Sequence, residues 1–185
     1  MTVMIAMLRG VNLGSHNRIK MDALRTVCES LDLLDAQTYV QSGNVVFRTN
    51  QRDLVRLAKQ LGNGIERRFG FCPDVILRTT SELRDAIARN PFAKRRGIDP
   101  RKLLVTFLVS IPSSEAQEKI LKMKTDPEEW RLQGRELYTY FPDGMARPKV
   151  SWATLVKVLK TSGTGRNWNS VIKLLELAER LEASG

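Results

Sequence analysis

Three short stretches hold the residue types that could do chemistry, and all three suit the capture of an anion. In "GTGRNWN" (163–169) two glycines, an arginine and two asparagines run into an apolar-faced helix. Asn167 or Thr164 can cap that helix. The N–H groups and dipole at its start favour negative charge, and Arg166 offers a planar fork for phosphate or carboxylate. Trp168 can be a stacking platform, or it can pack inward with Val171, Ile172 and Leu175. In "RGVNLGSHNRIK" (9–20) Gly10 and Gly14 permit a left-handed backbone and close approach. Asn12, Ser15 and Asn17 add short polar groups there, and Arg9, Arg18 and Lys20 add charge. Such a loop entering a helix can hold an anion on its backbone N–H groups; the plainer reading is a connection with turn chemistry. "QSGNVVF" (41–47) is first a tight hairpin, and Ser42 and Asn44 join the set only if they face the first loop. The candidate ligand-binding residues are therefore Arg9, Asn12, Asn17, Ser42, Asn44, Arg166, Asn167 and Trp168. The expectation is that these distant turns converge on one cationic, amide-lined pocket.

Patterns for bond-making chemistry are mostly missing. No GxSxG, HExxH or paired-carboxylate signature occurs, and neither GxxxxGK[ST] nor GxGxxG is present. His16 is the single histidine, so a Ser-His-Asp or Cys-His set has to recruit it with a distant nucleophile. One histidine and no CxxC argue against a structural zinc site. No catalytic residue, metal or cofactor is assigned. Two further basic loops, "KRRGIDPRK" (94–102) and "FPDGMARPK" (141–149), read as solvated connections or as phosphate-backbone contacts.

Composition sets the bounds. The chain has 185 residues, 42% hydrophobic and 27% charged, enough for one large or two small domains with a proper core. No apolar run approaches the roughly 20 residues that span a bilayer, and "MTVMIAMLRG" reads as a first strand rather than a secretory signal. The two cysteines, Cys28 and Cys72, read as buried reduced thiols, with a disulfide as the lesser alternative, which points to the cytoplasm. The net charge is +10. Residues 1–90 hold 13 basic and 9 acidic side chains (+4) and residues 91–185 hold 17 and 11 (+6), so the excess is spread over the body. A basic body favours anionic partners, nucleic acid among them, and also aids solubility.

The elements that must position these loops follow from periodicity. "VMIAMLR" is a buried strand. "KMDALRTVCESLDL" is a helix with Met21, Leu24, Val27, Cys28 and Leu31 on one face. "AQTYVQ" and "NVVFRT" flank Ser42-Gly43 as a hairpin. Asp53 to Phe69 is a helix with Leu54, Leu57, Ala58, Leu61 and Ile65 inward, weakened at Gly62 and Gly64, and "PDVILRT" is a strand. This β-α-β-β-α-β order is the ferredoxin-like arrangement. A short helix capped by Thr80 or Ser81 ends at Asn90-Pro91. After the linker the order restarts. "LLVTFLVS" is a strand, Ser113 or Ser114 caps a helix to about Met123, a hairpin turns at Gln133-Gly134, and "VSWATLVKVLK" is a helix with Trp152, Leu155, Val156 and Leu159 inward. The fold class is α+β, two ferredoxin-like halves, the second with a C-terminal helix replacing its last strand. The halves are placed at 1–93 and 102–185 with a linker at 94–101. The RNA-recognition variant of this order is rejected, because strand one lacks aromatics and strand three has only Phe47.

"LRGVNLGSHNRIKMDALRTV", "TYVQSGNVVF", "NPF", "GRELYTYFPDG" and "RNWNSVIKLLELA", in this order along nearly the whole chain, resemble the family catalogued as domain of unknown function 1697. The resemblance implies a two-part α+β fold built from ferredoxin-like halves, and it implies no reaction, cofactor or catalytic set. Where such proteins usually read Gly-Gly-Lys-Asn-Lys this chain has Gly14-Ser15-His16-Asn17-Arg18, so His16 is not a base common to the family.

Three functions compete on these residues. The first is a binding protein for a phosphate-bearing or anionic ligand, a nucleotide or nucleic acid. The second is an enzyme on a phosphorylated or acidic small molecule, working by positioning and charge stabilisation. The third is a scaffold whose loops are architectural, with an exposed apolar patch or a large dimer contact. The first is preferred, with no membrane partner and a monomer or weak homodimer expected.

Overall fold

The computed structural model describes residues 1–40 and 43–185; Gln41 and the candidate Ser42 lie outside the described residues. The chain divides into two compact units, Met1–Asp85 with Lys173–Gly185, and Ala86–Ile172.

In the first unit β1 (Thr2–Leu8), α1 (Met21–Glu29), β2 (Leu34–Tyr39), β3 (Asn44–Thr49), α2 (Leu54–Phe69) and β4 (Val75–Thr79) follow in order. The sheet runs β2-β3-β1-β4, and every neighbouring pair is antiparallel. β1 is apolar without alternation because both its faces are buried. One face sends Met4, Ala6, Leu8, Val45, Phe47 and Leu77 against Leu24, Val27 and Cys28 of α1 and Leu57, Leu61 and Ile65 of α2. Phe47 therefore points to the helices, and neither β1 nor β3 offers an aromatic on the other face for stacked bases. The glycines that weaken α2 on propensity serve its packing. A Cβ on Gly64 would come within 3.0 Å of the Val27 side chain and one on Gly62 within 3.2 Å of the Cys72 sulfur. Asp53 caps α2 by accepting from the Arg56 N–H at 2.9 Å.

α3 (Thr80–Ala88) follows β4 directly. Its cap is Thr79, one residue before Thr80 and two before Ser81, the expected caps. The Glu82 N–H donates to Thr79 Oγ1 at 3.1 Å, and the Thr79 N–H donates to the Glu82 carboxylate at 2.8 Å, a capping box.

The second unit holds β5 (Leu103–Leu108), α4 (Ser114–Lys122), β6 (Glu129–Gln133), β7 (Glu136–Tyr140), α5 (Trp152–Leu159) and β8 (Gly163–Asn167). Its sheet runs β6-β7-β5-β8, again antiparallel throughout. Ser113 caps α4 and Ser151 caps α5. The β6–β7 hairpin turns over Gly134-Arg135, with Gly134 at φ +60, the glycine-first form of a two-residue turn. Leu108, Ile120, Trp130, Leu137, Leu155 and Leu159 form its core.

The α+β class and both ferredoxin-like halves are as expected, with one correction. The C-terminal helix, α6 (Trp168–Ala183), does not replace the last strand of the second half; it follows it. β8 pairs with β5 from Leu104 opposite Asn167 to Leu108 opposite Gly163. Gly-Thr-Gly-Arg-Asn has poor strand propensity, and contact explains its glycines: a Cβ on Gly163 would sit 2.5 Å from the Phe107 carbonyl oxygen. The far end of α6 belongs to the first unit. There Arg48 donates to the Leu181 carbonyl and, at 3.1 Å, to Ser184 Oγ, while pairing with Asp35 at 3.2 Å. A guanidinium thus adds a charged donor to a carbonyl of the last turn that Ser184 also reaches, its Oγ donating to Leu181 at 3.1 Å. No helix among the described residues is long and apolar enough to cross a membrane.

Candidate functional site

The loop between β1 and α1 is held by its own asparagines. Asn12 and Asn17 adopt left-handed backbone, φ 54 and 51, which Asn tolerates better than most residues. The Ile19 N–H donates to Asn12 Oδ1 at 2.8 Å, and Asn12 Nδ2 donates to the Ile19 carbonyl at 3.1 Å. Asn17 Nδ2 donates to the Gly10 carbonyl at 3.1 Å, and the Asn12 N–H donates to the Asn17 carbonyl at 3.0 Å. The neck of the loop is thereby closed twice. Beyond it Leu13 to Arg18 are exposed, as is Lys20. Arg9 stands at the base, half-exposed and paired with Asp74 at 2.7 Å. α1 begins with Lys20 at its N-cap position, which supplies no side-chain acceptor for the first turn.

The β2–β3 hairpin meets this loop. The Leu8 N–H donates to the Gly43 carbonyl at 2.8 Å, and a Cβ on Gly43 would overlap the Val11 side chain at 2.2 Å. Asn44 sits opposite Met7, fully buried, with Nδ2 donating to the Tyr39 carbonyl at 3.3 Å. Arg9, Asn12, Asn17 and Asn44 thus share one end of the first sheet, but the amides of Asn12, Asn17 and Asn44 are engaged by backbone. The charged groups that reach solvent there are Arg9, Arg18 and Lys20 and two carboxylates, Asp74 paired with Arg9 and Asp22 in the first turn of α1 paired with Arg25. At the opposite end of the same sheet Met1, Thr49, Arg52 and Thr79 wall an open cleft of about 530 Å³.

Arg166, Asn167 and Trp168 belong to the other unit. Arg166 lies on β8 opposite Val105 and is 6% exposed. Its Nη1 donates to Thr164 Oγ1 at 2.7 Å and to the Gly165 carbonyl at 2.8 Å. Burial lowers its pKa to about 10, so it is still charged at neutral pH. Asn167 Oδ1 accepts the Asn169 N–H at 3.0 Å and caps α6, while Nδ2 donates to the Arg101 carbonyl at 2.9 Å. Trp168 opens α6 half-buried.

Sequence reasoning missed a relation between the two halves. Arg78 is the fourth residue of β4, opposite Ile5 and 1% exposed, and donates to the Leu77 carbonyl at 2.9 Å. Arg166 is the fourth residue of β8 and bonds its own strand in the same way. The shared position in "VILRT" and "GTGRN" is visible in the sequence once both are recognised as closing strands. A cleft of about 460 Å³ beside α4 and β6 was likewise not anticipated; Glu128 is buried on its wall and accepts from Trp130 Nε1 at 3.2 Å.

Neither cysteine is bonded. Cys28 is buried, and desolvation, with Glu29 adding to it, pushes its thiol up to about 12. Cys72 is exposed, a correction to the buried reading: it falls in the connection between α2 and β4, beside Gly62. Among the described residues no group of three or more His, Cys, Asp or Glu is placed to hold a metal ion.

Two four-stranded antiparallel sheets, each with its own helices, and a C-terminal helix define a two-part α+β protein of ferredoxin-like halves. The chain belongs to the family described as "Protein of unknown function (DUF1697)", whose profile matches residues 1–138. The conserved bacterial protein SP0830 from Streptococcus pneumoniae has a similar structure, with a TM-score of 0.73 and 18% sequence identity over 97% of this chain and 99% of that one. At that identity the likeness is one of fold. No curated protein matches the chain.

Proposed function

We propose that this protein binds a phosphate-bearing or anionic ligand, of the nucleotide or nucleic-acid kind, at the loop end of its N-terminal sheet. The observation that carries this reading is the doubly closed loop 9–20: its asparagines fasten the neck, and Arg18 and Lys20 stand exposed beside the first turn of α1. A pre-ordered loop loses little entropy on binding, and two cations next to helical N–H groups suit an anion, with Asp22, the acid of that turn, engaged by Arg25. In this reading Asn12, Asn17 and Asn44 support the loop, Arg9 adds charge at its base, and Arg166, Asn167 and Trp168 stabilise β8 and α6.

The test is titration with pyrophosphate and with a nucleoside triphosphate, following backbone amide resonances. Saturable shifts confined to Gly14–Ala23, and lost in the Arg18→Gln/Lys20→Gln variant, are expected. Shifts that persist unchanged in that variant, or none at all, would end the reading.

A further inference from the structure

The solvent face of α2 carries Arg56, Lys59, Asn63 and Arg67 at spacings of three, four and four residues, which keeps them on one stripe, and Arg52 stands just before its N-cap, Asp53. The stripe lies opposite Leu57, Leu61 and Ile65, the residues α2 buries. Arg52, Arg56, Lys59 and Arg67 are exposed, and among the described residues none of them makes an ion pair. Several exposed cations on other helices are paired within one turn, Arg25 with Asp22 in α1, Lys119 with Glu115 in α4 and Lys173 with Glu176 in α6, while α5 and α6 each leave a single one, Lys157 and Arg180, without an ion pair among the described residues; α2 differs in carrying a row of them. The acids nearest along α2 do not do so. Asp53 is spent on the cap, and Glu66 flanks the stripe without a pairing. From Arg56 to Arg67 the row is about 16 Å long at about 1.5 Å of rise per residue.

We propose that this face of α2 docks on the phosphodiester backbone of a nucleic-acid duplex. A regular row of uncompensated cations complements a linear polyanion by displacing its condensed counterions. Two other anionic partners fit less well. A membrane-surface helix needs a large apolar face beside its basic one, and the exposed apolar residue here is Val55 alone. A protein interface centres on aromatic and apolar anchors, which the stripe lacks. The neighbouring helix α1 exposes Asp22 and Glu29, which confines the contact to α2 and argues for backbone tracking without base readout. This surface shares no residue with the loop end, so either reading can fail without the other.

The test is fluorescence anisotropy of the full chain with a mixed-sequence DNA duplex and an RNA duplex across salt concentrations, with phosphatidylserine vesicles as a third probe. Four phosphate contacts give a log–log salt slope of about −3 to −4, a loss on the order of a hundredfold between about 50 and 200 mM salt. The Arg56→Gln/Lys59→Gln/Arg67→Gln variant should flatten the slope by about 3, and Lys59→Gln alone by about 1. Arg56→Lys/Arg67→Lys should retain it, and Arg18→Gln/Lys20→Gln should leave the α2 share in place. No salt-dependent binding to either duplex, an unchanged slope in both Gln variants, or binding to vesicles without binding to a duplex would overturn the proposal.

Discussion

Asn12 and Ile19 exchange two hydrogen bonds across the neck of the β1–α1 loop, the side chain of one acting as backbone partner to the other. Two properties of Asn are used at once, its amide and its tolerance of φ 54. Replacing it separates them. Asn12→Gly keeps the backbone and loses both bonds, about 1 to 2 kcal/mol. Asn12→Leu also carries the left-handed penalty, about 1 to 2 kcal/mol more. Urea denaturation of the two variants should rank them in that order. Equal stability of the two would mean that the loop relaxes to ordinary φ.

A second prediction concerns β8. Gly163→Ala drives a methyl against the Phe107 carbonyl oxygen, backbone that cannot step aside. Gly165→Ala meets the end of the Leu104 side chain at 3.1 Å, which can turn. Overpacking of this kind costs about 1 to 3 kcal/mol, with Gly163→Ala at or above the upper end and Gly165→Ala at or below the lower. Thermal unfolding should show a clearly larger drop in Tm for Gly163→Ala. Similar drops would remove close approach as the reason for Gly163.

The contrast at β8 shows where the sequence was legible. β3 was read to its observed limits and α2 to within a residue, because buried strands and amphipathic helices carry apolar periods. β8 carries none: its residue types are set by what lies against Gly163 and Gly165, a tertiary fact that propensity cannot see. The site was legible in place more than in role. That loop 9–20 meets the hairpin end follows from β3 pairing with β1. Whether an asparagine offers its amide to a ligand or to its own backbone depends on the φ it adopts, and Asn12 and Asn17 do the second. The exposure of Cys72 is illegible for a similar reason, since nothing local tells whether the connection before Pro73 is covered.

Two arginines hold the end of α6, Arg84 through Glu179 and Glu182 and Arg48 through the last turn. Arg48 reaches Leu181 and Ser184 from β3 and is itself held by Asp35. Arg48→Met preserves most of the apolar stem and removes all three polar contacts. Charge-assisted bonds of this type are worth about 1.5 to 3 kcal/mol, and the loss should be local. Hydrogen exchange is expected to quicken from Arg180 to Ser184, with β3 amides still protected. Uniform quickening across the first unit would show that the clamp supports the whole sheet instead.

The thiols give a pH-dependent prediction. Cys28 is buried with its folded pKa raised to about 12 from an ordinary 9.0, so below pH 9 both folded and unfolded chains keep the proton and the group is silent. Between about 9 and 12 the unfolded chain releases it and the folded chain does not. Stability therefore falls with rising pH by about 1.4 kcal/mol per unit from this group. Cys28→Ala should remove that component of the alkaline slope while lowering stability at neutral pH through a small cavity. Cys72, exposed, should react with a thiol reagent at neutral pH in the native protein, and Cys28 only after denaturant is added. Two fast thiols in the native chain, or an alkaline slope unchanged in Cys28→Ala, would contradict the burial of Cys28 between α1 and the sheet.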